Sequence, residues 1–132
     1  KGPGHRFVMV DAGFNDLIRP AMYGSYHEIS IVGRGASRPA EPLVVAGPLC
    51  ESGDVFTRDD QELLVPRALG RPEPGDLLSV ATAGAYGAVQ AGTYNTRLLV
   101  PEVLVNGDRF HVIRPRRTYE ELIGLDSVPD WL

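Results

Sequence analysis

The sequence predicts a mainly β domain, an antiparallel β-barrel or sandwich-like structure with short helices, one of them C-terminal. Three observations support this fold class. Fifteen glycines and eleven prolines recur at short intervals, and the apolar runs between them are rich in Val, Ile and Leu. Turn residues at such spacing are typical of many short strands. Helical periodicity is sparse, and 132 residues suit one domain with its own core.

Each predicted strand is a short apolar or alternating run bounded by turn residues. In chain order these runs are Arg6–Val10, Glu28–Gly33, Pro42–Ala46, Gly75–Ala81, Glu102–Val105 and Arg109–Arg114. The second run places His27, Ile29 and Ile31 on one face. Asn106-Gly107 between the last two predicts a hairpin with a type I′ turn, because both central residues of that turn need positive φ.

Helix signals are present in two segments. Asn15–Tyr23 begins with a possible cap, Asn15, and Pro20 limits it to one or two turns. A second helix is predicted over Thr118–Leu125, with Thr118 as N-cap, two glutamates in its first turn and a glycine near its end. The segments Arg34–Pro42 and Pro66–Pro74, rich in Pro, Gly and charge, are predicted to be surface loops.

Composition excludes several classes of protein. A net charge of −4 argues against a nucleic-acid partner, which requires a basic face. The longest uncharged run, Ser79–Thr96, is interrupted by three glycines and does not suit a membrane span. Cys50 is the single cysteine, so no internal disulfide forms and a cytoplasmic location is expected. The three histidines lack metal-ligand spacing.

The start of the chain suggests a truncation. Lys1–Gly4 is typical of a turn that leads directly into a strand, whereas a hairpin turn needs a strand on both sides. We therefore expect a single β domain over residues 1–132, truncated at its N-terminal edge. Lys1 is also the only lysine, so chemistry that needs an internal lysine amine is not expected.

Three segments suggest chemistry. Cys50 and Glu51 follow a Gly-Pro turn, and a thiol exchanges protons while a carboxylate binds a cation. Arg19 and Tyr23, spaced i, i+4, share a helix face that suits a carboxylate. Tyr86, among small residues, would lie against a flat ligand. The structural alternatives are a small buried cysteine, a surface arginine beside a half-buried tyrosine, and a glycine-rich bend around a core tyrosine.

Together these segments resemble the C-terminal part of the diaminopimelate decarboxylases, a pyridoxal-phosphate-dependent family of the alanine-racemase-like fold III group. The resemblance covers nearly the whole chain and follows the family's order. The matching segments are Asp11–Tyr23, Gly47–Asp54, Gly75–Leu78, Gly84–Ala88, Tyr94–Arg97, Pro101–Val105 and Arg116–Leu122. Glutamate rather than aspartate after Cys50 favours these enzymes over ornithine decarboxylases, and Ala68–Pro74 is extra loop relative to the shortest members.

This resemblance implies a fold, a cofactor and an assembly. In the family, an N-terminal (β/α)8 barrel carries the cofactor lysine, and a C-terminal β domain completes the site, partly for the neighbouring subunit of a head-to-tail homodimer. This chain is similar to that second domain without its first strand. The implied cofactor is pyridoxal 5′-phosphate, bound mainly by the barrel. The implied reaction converts meso-2,6-diaminopimelate to L-lysine and CO2, the last step of lysine biosynthesis.

The resemblance also implies a role for each candidate residue. Arg19 and Tyr23 would bind a substrate carboxylate, and Glu51 the far amino group. Cys50 would reach across the dimer interface as the proton donor to the carbanion left after CO2 departs. Tyr86 would contact the cofactor phosphate and the substrate. Because the barrel lysine is absent, the 132-residue chain alone is expected to be inactive.

Two other functions stay open. The first is that the chain is the same domain of an ornithine, arginine or carboxynorspermidine decarboxylase. Substrate preference would distinguish such an enzyme from a diaminopimelate decarboxylase. The second is a non-catalytic β module for interaction or regulation, which a barrel encoded upstream in the same reading frame would exclude.

Overall fold

The computed structural model describes residues 4–33 and 37–132. The chain divides into two compact units, of which the first ends at Ala91 and the second spans Gly92–Leu132. More residues lie in strands than in short helices, one helix is C-terminal, and the sheets are open. The predicted fold class is therefore confirmed. The start of the predicted N-terminal turn and part of the predicted loop Arg34–Pro42 lie outside the described residues.

In its described residues, the first unit contains five strands and two α-helices. They are β1 (Arg6–Met9), α1 (Arg19–Tyr23), β2 (Ile29–Ile31), β3 (Ala40–Ala46), β4 (Arg67–Gly70), β5 (Leu78–Val80) and α2 (Gly84–Val89). A three-stranded sheet has the order β1-β3-β4, and β2 pairs with β5 in a separate antiparallel sheet. Strand β3 is antiparallel to β4 but parallel to β1, unlike the antiparallel pairing predicted. The long crossover that parallel strands need is supplied by the segment containing α1 and β2.

One apolar core holds this unit together. Its buried side chains are Leu17, Ile29, Ile31, Leu43, Val45, Phe56 and Leu69. The intervening Val44 is also buried, so β3 is covered on both faces, as its continuous apolar run suggests. His27 is buried with Ile29 and Ile31, which confirms the predicted face of β2.

Helix α1 begins later than predicted. Its N-cap is Ile18, and Pro20 lies in the first turn, where its ring preorganises φ and its missing N–H costs no helix hydrogen bond. Pro20 thus lies at the start of the helix, and the five residues of α1 make between one and two turns, which is the predicted length. Asn15, predicted as a cap, is buried before the helix at 3% exposure.

Two local predictions are wrong because tertiary contacts override weak local signals, and one helix was not predicted. Pro66–Pro74 is not wholly loop, because Arg67–Gly70 forms β4 against β3 and buries Leu69. Likewise, β3 begins at Ala40, inside a predicted loop. The segment around Tyr86 forms α2 although Gly84 is its first residue and Gly87 lies inside it, and glycine disfavours helix.

The second unit contains a hairpin and a short helix. The hairpin pairs β6 (Glu102–Asn106) with β7 (Arg109–Arg114), as predicted. Its turn lies one residue later than predicted, because Asn106 pairs with Arg109 and the central residues are Gly107 and Asp108. Only Gly107 of these has positive φ, at 62°. This geometry matches a type II′ turn and not the predicted type I′.

The C-terminal helix α3 (Tyr119–Ile123) is confirmed with its caps. Thr118 Oγ1 accepts a hydrogen bond from the Glu121 backbone N–H at 3.2 Å, and the Glu121 side chain accepts one from the Thr118 N–H at 2.9 Å. These reciprocal bonds form the capping box that the local sequence predicts. Gly124 is the C-cap.

Candidate functional site

Arg19, at the start of α1, contacts two tyrosine rings. Its Cζ is 5.6 Å from the centroid of the Tyr23 ring and 5.2 Å from that of Tyr86. Both distances are within the range of cation–π attraction. Arg19 and Tyr23 share a helix face as predicted, and Tyr86 reaches them from α2. We call these three residues the Arg19 cluster.

The Arg19 cluster is accessible. Tyr23 is 53% and Tyr86 57% exposed, so the alternative of a core tyrosine at position 86 is wrong. Arg19 is half-buried, and within residues 4–33 and 37–132 it forms no ion pair with a carboxylate. A guanidinium and two phenols therefore present N–H and O–H donors suited to an anion.

Cys50 and Glu51 lie on a separate feature, the loop of residues 47–54, which we call the Cys-Glu loop. The Cys50 thiol is exposed, so the alternative of a small buried cysteine is wrong. Glu51 is also exposed, and its Oε1 accepts hydrogen bonds from the Ser52 hydroxyl at 3.2 Å and the Gly53 N–H at 3.0 Å. These bonds orient the Glu51 carboxylate on its own loop.

Asp54 is the last residue of this loop and is only 2% exposed. Its Oδ1 accepts the Phe14 N–H at 2.7 Å, and its Oδ2 accepts the Leu49 N–H at 2.8 Å. The Gly47 N–H donates to the Asp54 carbonyl at 2.9 Å. Sequence reasoning placed Asp54 in the motif but assigned it no role. The available signal was an aspartate in a short glycine-containing loop, where it commonly accepts backbone N–H bonds.

Arg58 supports the same loop and was also missed. Its side chain is 8% exposed, and Nη1 donates to the Gly53 carbonyl at 3.3 Å. Its Nη2 lies 3.4 Å from Glu62 Oε2, so the buried Arg58 forms an ion pair with an exposed glutamate. No local pattern distinguished this arginine from the eleven others in the chain.

A further polar group surrounds Tyr26. Arg67 lies with its Cζ 4.0 Å from the Tyr26 ring centroid and donates to the His27 carbonyl at 2.5 Å. The Tyr26 hydroxyl donates to Glu28, and this bond raises the pKa of Tyr26.

In the part of the chain that the structure describes, no group of three His, Cys, Asp or Glu residues could hold a metal ion. No helix there has the length and apolar character to cross a membrane.

Comparison with known proteins gives consistent matches. One protein family, described as "Pyridoxal-dependent decarboxylase, C-terminal sheet domain", matches residues 1–84. The chain is 51% identical over 126 residues to a diaminopimelate decarboxylase of Archaeoglobus fulgidus, which covers 96% of this chain and 28% of that protein. It is 52% identical over 124 residues to the enzyme of that name from Escherichia coli K12, in an alignment that covers 91% of this chain and 30% of that protein.

The fold also matches a solved structure. The crystal structure of diaminopimelate decarboxylase from M. jannaschii in complex with L-lysine aligns with a TM-score of 0.84 and 42% identity. The alignment covers 100% of this chain and 28% of that one. The chain thus spans less than a third of the length of these relatives. With the family match extending over more than half of its residues, the chain belongs to the pyridoxal-dependent decarboxylases and contains their C-terminal sheet domain.

Proposed function

We propose that this chain is the substrate-binding and dimer-forming C-terminal domain of a diaminopimelate decarboxylase, which converts meso-2,6-diaminopimelate to L-lysine and CO2. The observation that carries the proposal is the presence, in one compact unit, of the cationic Arg19 cluster and the exposed Cys-Glu loop. Relatives of that name, about half identical over more than nine-tenths of the chain, support it.

The substrate explains why both features are needed. The far end of diaminopimelate bears a carboxylate and an ammonium group. Arg19 and Tyr23 bind the carboxylate, since guanidinium and phenol both donate, and Glu51 binds the ammonium. L-Ornithine lacks the second carboxylate, so its binding would leave the Arg19 donors unmatched. Sites built to hydrogen-bond a group discriminate strongly against substrates without it.

The family implies pyridoxal 5′-phosphate, and the residues present fit part of its site. Tyr86 is exposed on α2 and its ring lies beside Arg19, so its hydroxyl would contact the phosphate and the substrate. Covalent attachment needs a lysine amine, and none lies in residues 4–33 and 37–132. The barrel of the longer enzyme would supply it. When bound, the cofactor's pyridine ring supplies an electron sink.

Proton delivery is the role proposed for Cys50. Its thiol donates a proton to the carbon that has lost CO2, so that hydrogen replaces the carboxylate there, and the thiolate recovers a proton from water. Cys50 does this in the site of the partner subunit of a homodimer. We place the enzyme in the cytoplasm, where an exposed thiol stays reduced.

The experiment is CO2 release by the full-length protein that carries this chain, with pyridoxal phosphate, on meso-diaminopimelate and on L-ornithine side by side. We expect kcat/KM to favour diaminopimelate by at least about a hundredfold, because ornithine lacks the second carboxylate and leaves the Arg19 and Tyr23 donors unmatched. A preference for ornithine would contradict the proposed substrate. Turnover of neither would favour the non-catalytic module.

A further inference from the structure

We propose that Asp54 is a positioning residue of this site. Its buried carboxylate fastens the Cys-Glu loop to the turn that precedes α1, and so fixes the positions of Glu51 and Cys50 within their own subunit. The inference deepens the proposed function and rests on it. Asp54 itself is buried, so its effect on the reaction is indirect.

The hydrogen bonds of Asp54 join two segments that are distant in sequence. One carboxylate oxygen accepts the N–H of Phe14 at 2.7 Å, and the other accepts the N–H of Leu49 at 2.8 Å. Within the described ranges the carboxylate forms no ion pair. Burial of a carboxylate is unfavourable unless hydrogen bonds offset it. These charge-assisted bonds therefore hold both segments to one point.

Two glycines allow the segments to approach so closely. A Cβ at position 47 would lie 2.2 Å from Asp54 Oδ2, so the carboxylate fits only beside Gly47. A Cβ at position 13 would lie 2.8 Å from the Leu49 side chain. The contact between the Cys-Glu loop and the turn at Gly13 is thus a close steric fit as well as a hydrogen-bonded one.

The turn at Gly13 leads directly to the Arg19 cluster. The Asp16 and Leu17 N–H groups donate to the Gly13 carbonyl at 2.9 and 3.3 Å, and Asp16 Oδ2 accepts the Gly13 N–H at 2.9 Å. Leu17 is buried in the core, and α1 begins two residues later at Arg19. A displacement of Phe14 relative to Leu49 would therefore move Cys50 and Glu51 relative to α1. In a symmetric homodimer, each site built from α1 of one subunit and the Cys-Glu loop of its partner would change in the same way.

The test uses Asp54→Asn in the full-length protein. Asparagine has one acceptor oxygen, so one of the two backbone N–H groups would face an amide NH2. Gly47→Ala is the second variant, because it displaces the carboxylate without changing its charge. Asp59→Asn is the matched control. Asp59 also accepts two backbone N–H bonds, from Gln61 and Leu63, but both reach Oδ1, and an asparagine can keep both.

The first readout is amide hydrogen exchange, which needs no substrate. In the wild-type protein the Phe14 and Leu49 amides should be protected. We expect their exchange to be at least about tenfold faster in Asp54→Asn and Gly47→Ala but unchanged in Asp59→Asn. Rapid exchange of both amides in the wild type would overturn the proposal, even if neither variant folds.

The second readout is kinetic. We expect kcat/KM for diaminopimelate to fall about ten- to a hundredfold in both site variants, because small displacements of positioned groups are costly. The preference over L-ornithine should fall as well, which a merely structural role would not cause. Faster exchange with unchanged kinetics would overturn the positioning role alone. A wild-type enzyme without decarboxylase activity would contradict the proposed function, while the exchange data would still decide whether Asp54 fastens the two segments.

Discussion

The residues around Arg19 favour the binding of a carboxylate by its guanidinium group. Its guanidinium contacts the rings of Tyr23 and Tyr86, which displace part of its hydration shell. In the described ranges, it has no carboxylate partner. A partly desolvated arginine binds a carboxylate more strongly than a fully hydrated one. The spacing of Arg19 and Tyr23 predicted this half of the cluster. The contact with Tyr86 joins two helices far apart in sequence, so no local pattern predicted it.

At the same scale, Cys50→Ala in the full-length protein should lower kcat by about two to four orders of magnitude, because the proposed proton donor is lost. KM for diaminopimelate should change little, since the thiol acts after the substrate has bound. Steady-state kinetics measures both. Cys50→Ser is the control for side-chain volume, because a hydroxyl of similar size is a much weaker acid. An unchanged kcat in Cys50→Ala would remove Cys50 from the mechanism.

At the scale of elements, Arg38 connects the segment before β3 to the turn before β5. Its Nη1 donates to the Arg71 carbonyl at 3.0 Å and its guanidinium pairs with Asp76. Asp76 also accepts the Glu73 N–H at 2.7 Å. The Arg38 hydrogen bond, followed by that of the Glu73 backbone, lowers the pKa of Asp76. The folded state therefore favours the ionised carboxylate.

This pKa shift predicts a pH dependence of stability. The contribution of Asp76 is fully present above the unfolded-state pKa of about 3.9 and is lost as the pH falls through the lower folded-state value. Asp76→Asn removes the titrating group, so its free energy of unfolding should depend less on pH below about 4 than that of the wild type. Denaturant unfolding of the full-length protein at several pH values measures this. Parallel pH profiles would contradict the assignment.

Elements with local signals were predictable. The capping box of Thr118 and Glu121 and the Asn-Gly hairpin are encoded within a few residues. The predicted hairpin turn lies one residue before the observed turn, because the register depends on pairing along both strands. Strand β4 and helix α2 were missed, since pairing with β3 and packing near Arg19 outweigh their weak propensities.

At the scale of the whole molecule, the 132-residue chain is expected to be inactive alone. Lys1 is its only lysine, and the chain covers less than a third of its relatives. Incubation with pyridoxal phosphate, borohydride reduction and mass measurement should show no specific covalent adduct, and no CO2 should be released from diaminopimelate. The full-length protein under the same conditions is the positive control. Substantial CO2 release by the isolated chain would refute this prediction.

By itself, the sequence determined the fold class and the family, because short strands, turn residues and motif order are local properties. It also predicted Arg19, Tyr23, Cys50, Glu51 and Tyr86 as candidate site residues. Tertiary structure alone decided the parallel β1–β3 pair, the contact of Tyr86 with Arg19 and the burial of Asp54. Each joins segments far apart in the chain. Their energies depend on pairing, packing and desolvation that arise only when those segments meet.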